Sequence, residues 1–232
     1  MIERHLVRMS ITIRTARLAD VGALASLNRA AYPDLVEDGV VFAPPQLQRQ
    51  QEVFPEGQLV AEHDGVIVGA IATLILPRAI DPLAPHTWNG VTDHGTFARH
   101  DPGGHTLYLA DIYVGQVSWG LGVGQALYRA LFALCRRLQL DRVVGGGRLY
   151  DFSDAPADLA PADYVREVIA GTRGDRVLKS QLRAGFSVRG LLPGYLHDGR
   201  SRHCATLIVW DNPDRVHAPV AAARSVVQRS DS

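Results

Sequence analysis

The sequence predicts an α/β domain, an α+β sandwich whose mixed sheet of about seven strands is flanked by helices. Three observations carry this. His105–Val114 alternates apolar and polar residues and runs straight into a glycine-rich turn and a long amphipathic helix. Two apolar runs, Gln58–His63 and Val66–Leu76, are separated only by Asp64-Gly65, the pair that favours a tight hairpin. Strand-like and helix-like periods also interleave along the chain, which neither an all-helical nor an all-strand fold would give.

Ile11–Arg17 alternates and reads as the first strand, after Met1–Ser10, which shows no period and is expected to be flexible. Asp20 is placed to cap a helix that follows with Val21, Leu24, Leu27, Asn28 and Ala31 at helical spacing, and Pro33 ends it. Pro44–Val53 forms a second helix. After the hairpin, Arg78–Gly104 is rich in Pro, Gly and His and reads as a loop or lid inserted before the central strand. In the long helix beyond the glycine turn, Leu127, Leu131, Leu134 and Leu138 make the buried stripe, and Cys135 lies on its apolar side. Arg142–Arg148 is a strand carrying three consecutive glycines. Residues 150–173 form a second insertion with a helix over Pro161–Ala170. A further helix starts at Asp175 and stops at Gly185, and Phe186–Leu192 and His203–Trp210 close the sheet. One domain over residues 11–211 is expected, with a flexible tail over 212–232.

Acidic and basic side chains number 24 each, so the formal net charge is zero. That argues against a chain whose main task is coating nucleic acid or an anionic membrane. No apolar run approaches the roughly 20 residues that span a bilayer, and the polar, basic start has no signal-peptide core. The two cysteines, Cys135 and Cys204, have no metal or redox spacing, which points to a reducing cytoplasm. Lys179 is the single lysine, so lysine-based covalent catalysis would rest on one residue.

The segment Val114–Leu127 places Gly120, Gly122 and Gly124 alternately just before the helix. Such a backbone turns sharply, exposes its N–H groups and adds the positive end of the helix dipole, a combination suited to phosphate. It lacks the Lys-Ser/Thr of a nucleotide-hydrolase loop and the setting of a dinucleotide fingerprint. In this order of elements, Trp119-Gly120-Leu121-Gly122-Val123-Gly124 resembles the R/Q-x-x-G-x-G/A motif of the GNAT superfamily of acyl-CoA-dependent N-acyltransferases. Trp119 replaces the leading Arg or Gln. Upstream, Leu109–Val114 looks like the family's fourth strand, and downstream Gln181–Phe186 matches its motif ending in Gly-Phe, with Gln181 where a tyrosine often stands. Residues 140–210 further resemble the GNAT domain found ahead of carbon–nitrogen hydrolase domains in bacteria.

The resemblance implies a sheet splayed between strands four and five, and acetyl-CoA or another acyl-CoA as co-substrate. It places Ile112, Tyr113 and Val114 along the pantetheine arm, and Trp119, Gly120, Leu121, Gly122, Val123, Gly124 and Gln125 around the phosphates. The expected reaction is acyl transfer to the amine of a small-molecule acceptor. Amide formation needs a proton acceptor near the thioester, and Asp111 is the only carboxylate of the central strand. Because neighbours on a strand face opposite ways, Asp111 and Ile112 cannot both face the cofactor unless a bulge intervenes. Tyr195 and Tyr164 are alternative acids for the thiolate. Arg148, Tyr150 and Tyr164 are the expected substrate contacts, Arg148 through its fork geometry. His86, His94, His100 and His105 scatter at spacings that match no common zinc pattern, so no metal is expected; His100 and His105 are minor candidates for the base. Departures at Trp119 and Gln181 leave two rivals: a GNAT-fold enzyme using an aminoacyl-tRNA or carrier-protein donor, and a non-catalytic CoA-binding module. Nucleic acid other than such a tRNA is not an expected partner, and a homodimer is left open.

Overall fold

Asp64 and Gly65 take φ values of 48° and 76°, the two left-handed residues that a type I′ hairpin turn requires. Across this turn β2 (Leu59–His63) pairs antiparallel with β3 (Val66–Leu76) in the computed structural model, which describes residues 10–36 and 40–215. The remaining strands are β1 (Thr12–Thr15), β4 (Thr106–Val114), β5 (Arg142–Arg148), β6 (Ser187–Pro193) and β7 (Cys204–Asp211). They form one seven-stranded sheet in the order β1-β2-β3-β4-β5-β7-β6. Every neighbouring pair is antiparallel except β4 and β5, which run parallel. Most of the two termini expected to be flexible lies outside the described residues. Asn212 is described, and it is buried with its side-chain amide donating to Leu140 O.

Helices α1 (Val21–Ala31) and α2 (Pro44–Val53) cover one face of the sheet, where Leu24, Ala31, Leu47, Tyr108, Tyr113 and Val144 share a core. Helix α4 (Val123–Arg137) covers the other, burying Leu127, Leu131 and Leu134 against Leu107, Leu109 and Val143. A third cluster joins α5 (Pro161–Ala170) and α6 (Arg176–Ala184) through Tyr164, Val168 and Leu178. Asp175 caps α6 by accepting from the N–H groups of Val177 and Leu178, and Gly185 ends it at φ 110°.

Two local expectations change. Asp20 stands before α1 but does not cap it: its carboxylate accepts from Arg17 N–H and from the Arg14 guanidinium, so it closes the preceding turn instead. The 78–104 insertion contains a short helix, α3 (Trp88–Thr92), capped by the Thr87 hydroxyl. Five residues are too few to carry a helical period, and burial of Trp88 is what holds the helix in place.

The three glycines of β5 make room for their neighbours. A Cβ on Gly145 would lie 3.0 Å from Leu109 O on β4. One on Gly146 would lie 2.1 Å from Tyr195 Cζ, inside the ring. One on Gly147 would lie 2.5 Å from Gln181 Oε1. Strand five is therefore a bare surface on which the site's side chains lie.

Candidate active site

Strands β4 and β5 pair only from Thr106–Arg142 to Leu109–Gly145. Beyond that point they part, and a cavity of about 660 Å³ opens along the freed edge of β4. Its lining runs from Gly122–Gln125 at the start of α4, past Ile112 and Val114, to a chamber holding Asp111, Arg148, Tyr195 and Trp88.

The β3–β4 register slips between Ala72 and Thr73, whose partners are Asp111 and Leu109. Ala110 is thus an extra residue, a β-bulge. Leu107 and Leu109 face α4, and simple alternation would send Asp111 the same way. The bulge turns it to the α1 side, where Asn28 Nδ2 donates to one carboxylate oxygen at 2.9 Å and Tyr32 Oη to the other at 2.7 Å. Ile112 and Val114 pack with the α4 core, while the Tyr113 ring is buried edge-on to Tyr32. Burial pushes the Asp111 carboxyl up to about 6, against the pull of its hydrogen bonds from Tyr32 and Asn28.

Gly115 N–H bonds to Val68 O on β3, so two-residue alternation turns Ile112 and Val114 toward the gap. Side chains already meet the carbonyls there. The one hydrogen of Tyr32 Oη, given to Asp111, is shared with Ile112 O at 2.9 Å, and Trp119 Nε1 donates to Val114 O at 2.9 Å. One residue before Asp111, Trp88 Nε1 donates to Ala110 O. The indole N–H of Trp119 is therefore committed to the end of β4, and its half-exposed ring lies under Arg176.

At the helix start Gly120 and Gly122 have φ of 77° and 84°, the left-handed region open to glycine. A Cβ on Gly122 or Gly124 would meet nothing within 4 Å, so the space above this turn is free for a ligand. The unpaired N–H groups of the first turn of α4 point there. These features fit a pyrophosphate. Leu121 departs from expectation: its N–H bonds to Ser118 O, its side chain is exposed, and it does not line the cavity. Gln125 ties α4 to α6 by donating to Ser180 O.

Arg148 is buried, but its fork is taken by Asp198, at 2.6 and 2.7 Å, and a second edge bonds Asp34. Burial works against its charge, and the two aspartates more than offset it, so the pKa is raised. Tyr150 lines the cavity under three guanidinium groups, those of Arg148, Arg176 and Arg200. Tyr195 is buried on the chamber wall, with Trp88 N–H bonding its carbonyl.

Tyr164 stands outside the cavity. Its ring packs on Phe152 and its hydroxyl donates to Asp175, so it braces the cap of α6 rather than a substrate. Gln181, at the position where the family often has tyrosine, is buried against Tyr128. His100 accepts from Ile75 N–H and stacks on Phe54, on the α4 face away from the chamber. His86 instead packs edge-on against Tyr195 of the chamber wall. Among the described residues no three ligating side chains converge as a metal site.

Tyr32, Trp88, Asp34, Asp198 and Arg176 are site residues that sequence reasoning missed. Only Tyr32 left a signal: just past the end of α1 and four residues after Asn28, it adds a second polar group on the side of that helix that faces the sheet.

The acetyltransferase (GNAT) family profile matches residues 23–148. The chain is 33% identical over 204 residues to the protein named Uncharacterized N-acetyltransferase YkwB of Bacillus subtilis (strain 168), covering 88% of this chain and 89% of that one. It is 31% identical over 205 residues to Probable hydrolase YhcX of the same organism, covering 88% of this chain but 39% of YhcX. Among solved structures it is similar to the GphF GNAT-like decarboxylase in complex with isobutyryl-CoA, with a TM-score of 0.74 and 28% identity over 87% of this chain and 99% of that one. The loading GNATL domain of CurA from Lyngbya majuscula shares the fold at a TM-score of 0.76 and 20% identity, covering 89% and 100%. With more than half its length matched by the profile, and with the parted parallel pair and the glycine turn in place, the chain belongs to the GNAT acetyltransferase family.

Proposed function

We propose that this chain transfers an acyl group, most simply acetyl, from acyl-CoA to the amine of a small-molecule acceptor. The observation that carries this reading is the continuity of one cavity from the glycine turn, along the freed edge of β4, to the chamber around Asp111. The amides at the start of α4 hold the pyrophosphate. The gap-facing N–H of Val114 polarises the thioester carbonyl. Asp111 receives the incoming ammonium and takes the proton that frees the amine. Two buried free cysteines fit a reducing cytoplasm. The test is thiol release from acetyl-CoA and longer acyl-CoAs with a panel of small amines, with product masses. CoA binding without turnover on any pair would point to a binding module instead.

The likeness to a protein named as a GNAT-like decarboxylase favours a second reading, loss of CO₂ from an acyl-CoA carboxylated at its α-carbon. The same strand amides would stabilise the thioester enolate, which then takes a proton. Conversion of malonyl-CoA to acetyl-CoA without any acceptor distinguishes it.

A further inference from the structure

We propose that Tyr195, Tyr108 and His86 form a proton chain leading from the acceptor chamber out to the loop before β4. The proposal rests on the acyltransferase reading and concerns the proton that amide formation must shed. Tyr195 Oη lies 2.8 Å from Tyr108 Oη, and Tyr108 Oη lies 2.9 Å from His86 Nε2. His86 Nδ1 lies 2.8 Å from Ala84 O.

These contacts fix the direction of every hydrogen. A carbonyl only accepts, so Nδ1 carries the ring proton and Nε2 of the neutral imidazole accepts. Tyr108 must then donate to Nε2. Its one proton being used, Tyr195 must donate to Tyr108. The Gly146 backbone, which also lines the cavity, hydrogen-bonds the Tyr195 oxygen. The protons thus run from Tyr195 to Tyr108 to His86, and of the three Tyr195 is the one that lines the cavity. Burial lowers the imidazole pKa and raises those of both phenols, so all three groups rest neutral. In this state the chain accepts a proton from the chamber and does not deliver one.

Packing alone does not call for this arrangement. Phenylalanine at 108 and 195 would fill the same core with no buried hydroxyl to satisfy. The Tyr195 ring also needs a bare Gly146 beneath it and the Trp88 amide on its carbonyl. In the reaction the C–N bond forms and the nitrogen becomes positively charged. Its proton passes to Tyr195 Oη while the Tyr195 proton moves to Tyr108 Oη and that of Tyr108 to His86 Nε2. The C–S bond breaks with its electron pair on sulfur. The imidazolium releases its proton to water, and the thiolate takes one from water.

Two measurements on the full chain test this. Nitrogen-15 NMR of the His86 ring is expected to show Nδ1 protonated and Nε2 bare at pH 7; the opposite tautomer would overturn the chain whatever the kinetics. With an amine and acyl-CoA that the wild type turns over, His86→Gln and Tyr108→Phe are each expected to lower kcat by about 10²-fold at pH 7. KM for acyl-CoA should not change, and the loss should shrink at high pH, where hydroxide takes the proton. Folded variants that keep the wild-type kcat and pH profile overturn the chain alone. A wild type that acylates no amine overturns the acyltransferase reading and the chain with it.

Discussion

Asp111 owes its place to one extra residue. Without the Ala110 bulge it would join Leu109 under α4, and Asn28 and Tyr32 would have no carboxylate to bind. The strand's only acidic residue was legible as a candidate base from its position beside the acyl chain. The face it occupies was not, because a bulge leaves no mark on the apolar–polar alternation. If Asp111 is the base, Asp111→Asn lowers kcat by about 10²–10⁴-fold with little change in CoA affinity, and the loss shrinks as pH rises and the amine deprotonates unaided. Steady-state kinetics across pH check this. The same carboxyl sets a stability trend. Its folded value of about 6 lies above the ordinary 3.8, so the folded chain holds the proton more tightly than the unfolded one. Its charge therefore destabilises the fold above about pH 6, and that cost fades as pH falls from 6 toward 3.8. Comparing urea midpoints of wild type and Asp111→Asn from pH 7 to pH 4 should show the wild type gaining stability relative to the variant, by at most about 3 kcal/mol.

At the scale of elements, the long periodic segments were legible and the short or non-local ones were not. The D-G hairpin, the leucine stripe of α4 and the stop at Gly185 are local chemistry. The fork of Arg148 depends on Asp198, 50 residues away, and on Asp34, 114 residues away, a pairing no window along the chain displays. Tyr164 misled for a related reason: an inserted helix beside a site looks the same in sequence whether it faces ligand or core. The glycine turn was legible, and its backbone angles sharpen the expectation for it. Gly122 sits at φ 84°, so valine there strains the backbone as well as filling the space above the helix start. Gly122→Val should weaken CoA binding more than tenfold, over about 1.4 kcal/mol, by calorimetry on the folded variant. Trp119→Arg should bind CoA as well as the wild type or better, since an arginine can also donate to Val114 O.

Across the whole molecule, β1–β4 with α1–α3 and β5–β7 with α5 and α6 meet at one short parallel ladder, through α4, and through side chains such as Arg148 on Asp34 and Tyr195 on Tyr108. A ligand seated in the gap touches both sides. CoA at a hundredfold excess over its Kd should stabilise the chain by about 2.7 kcal/mol, read as a rise in Tm. The amides of Ile112 and Val114 should exchange more slowly when it is bound. The freed stretch of β4 is also a sheet edge placed inside the molecule, and an open edge ordinarily invites any extended chain to zip onto it. A peptide zips by offering donors and acceptors in turn. Here Trp88 and Trp119 have already spent their indole hydrogens on the Ala110 and Val114 carbonyls, and Tyr32 Oη reaches that of Ile112. The edge is left poor in acceptors, and what it still offers is N–H. It works as a one-way reader, open to a guest that brings carbonyl oxygens and resistant to a stray strand that must also give hydrogens away.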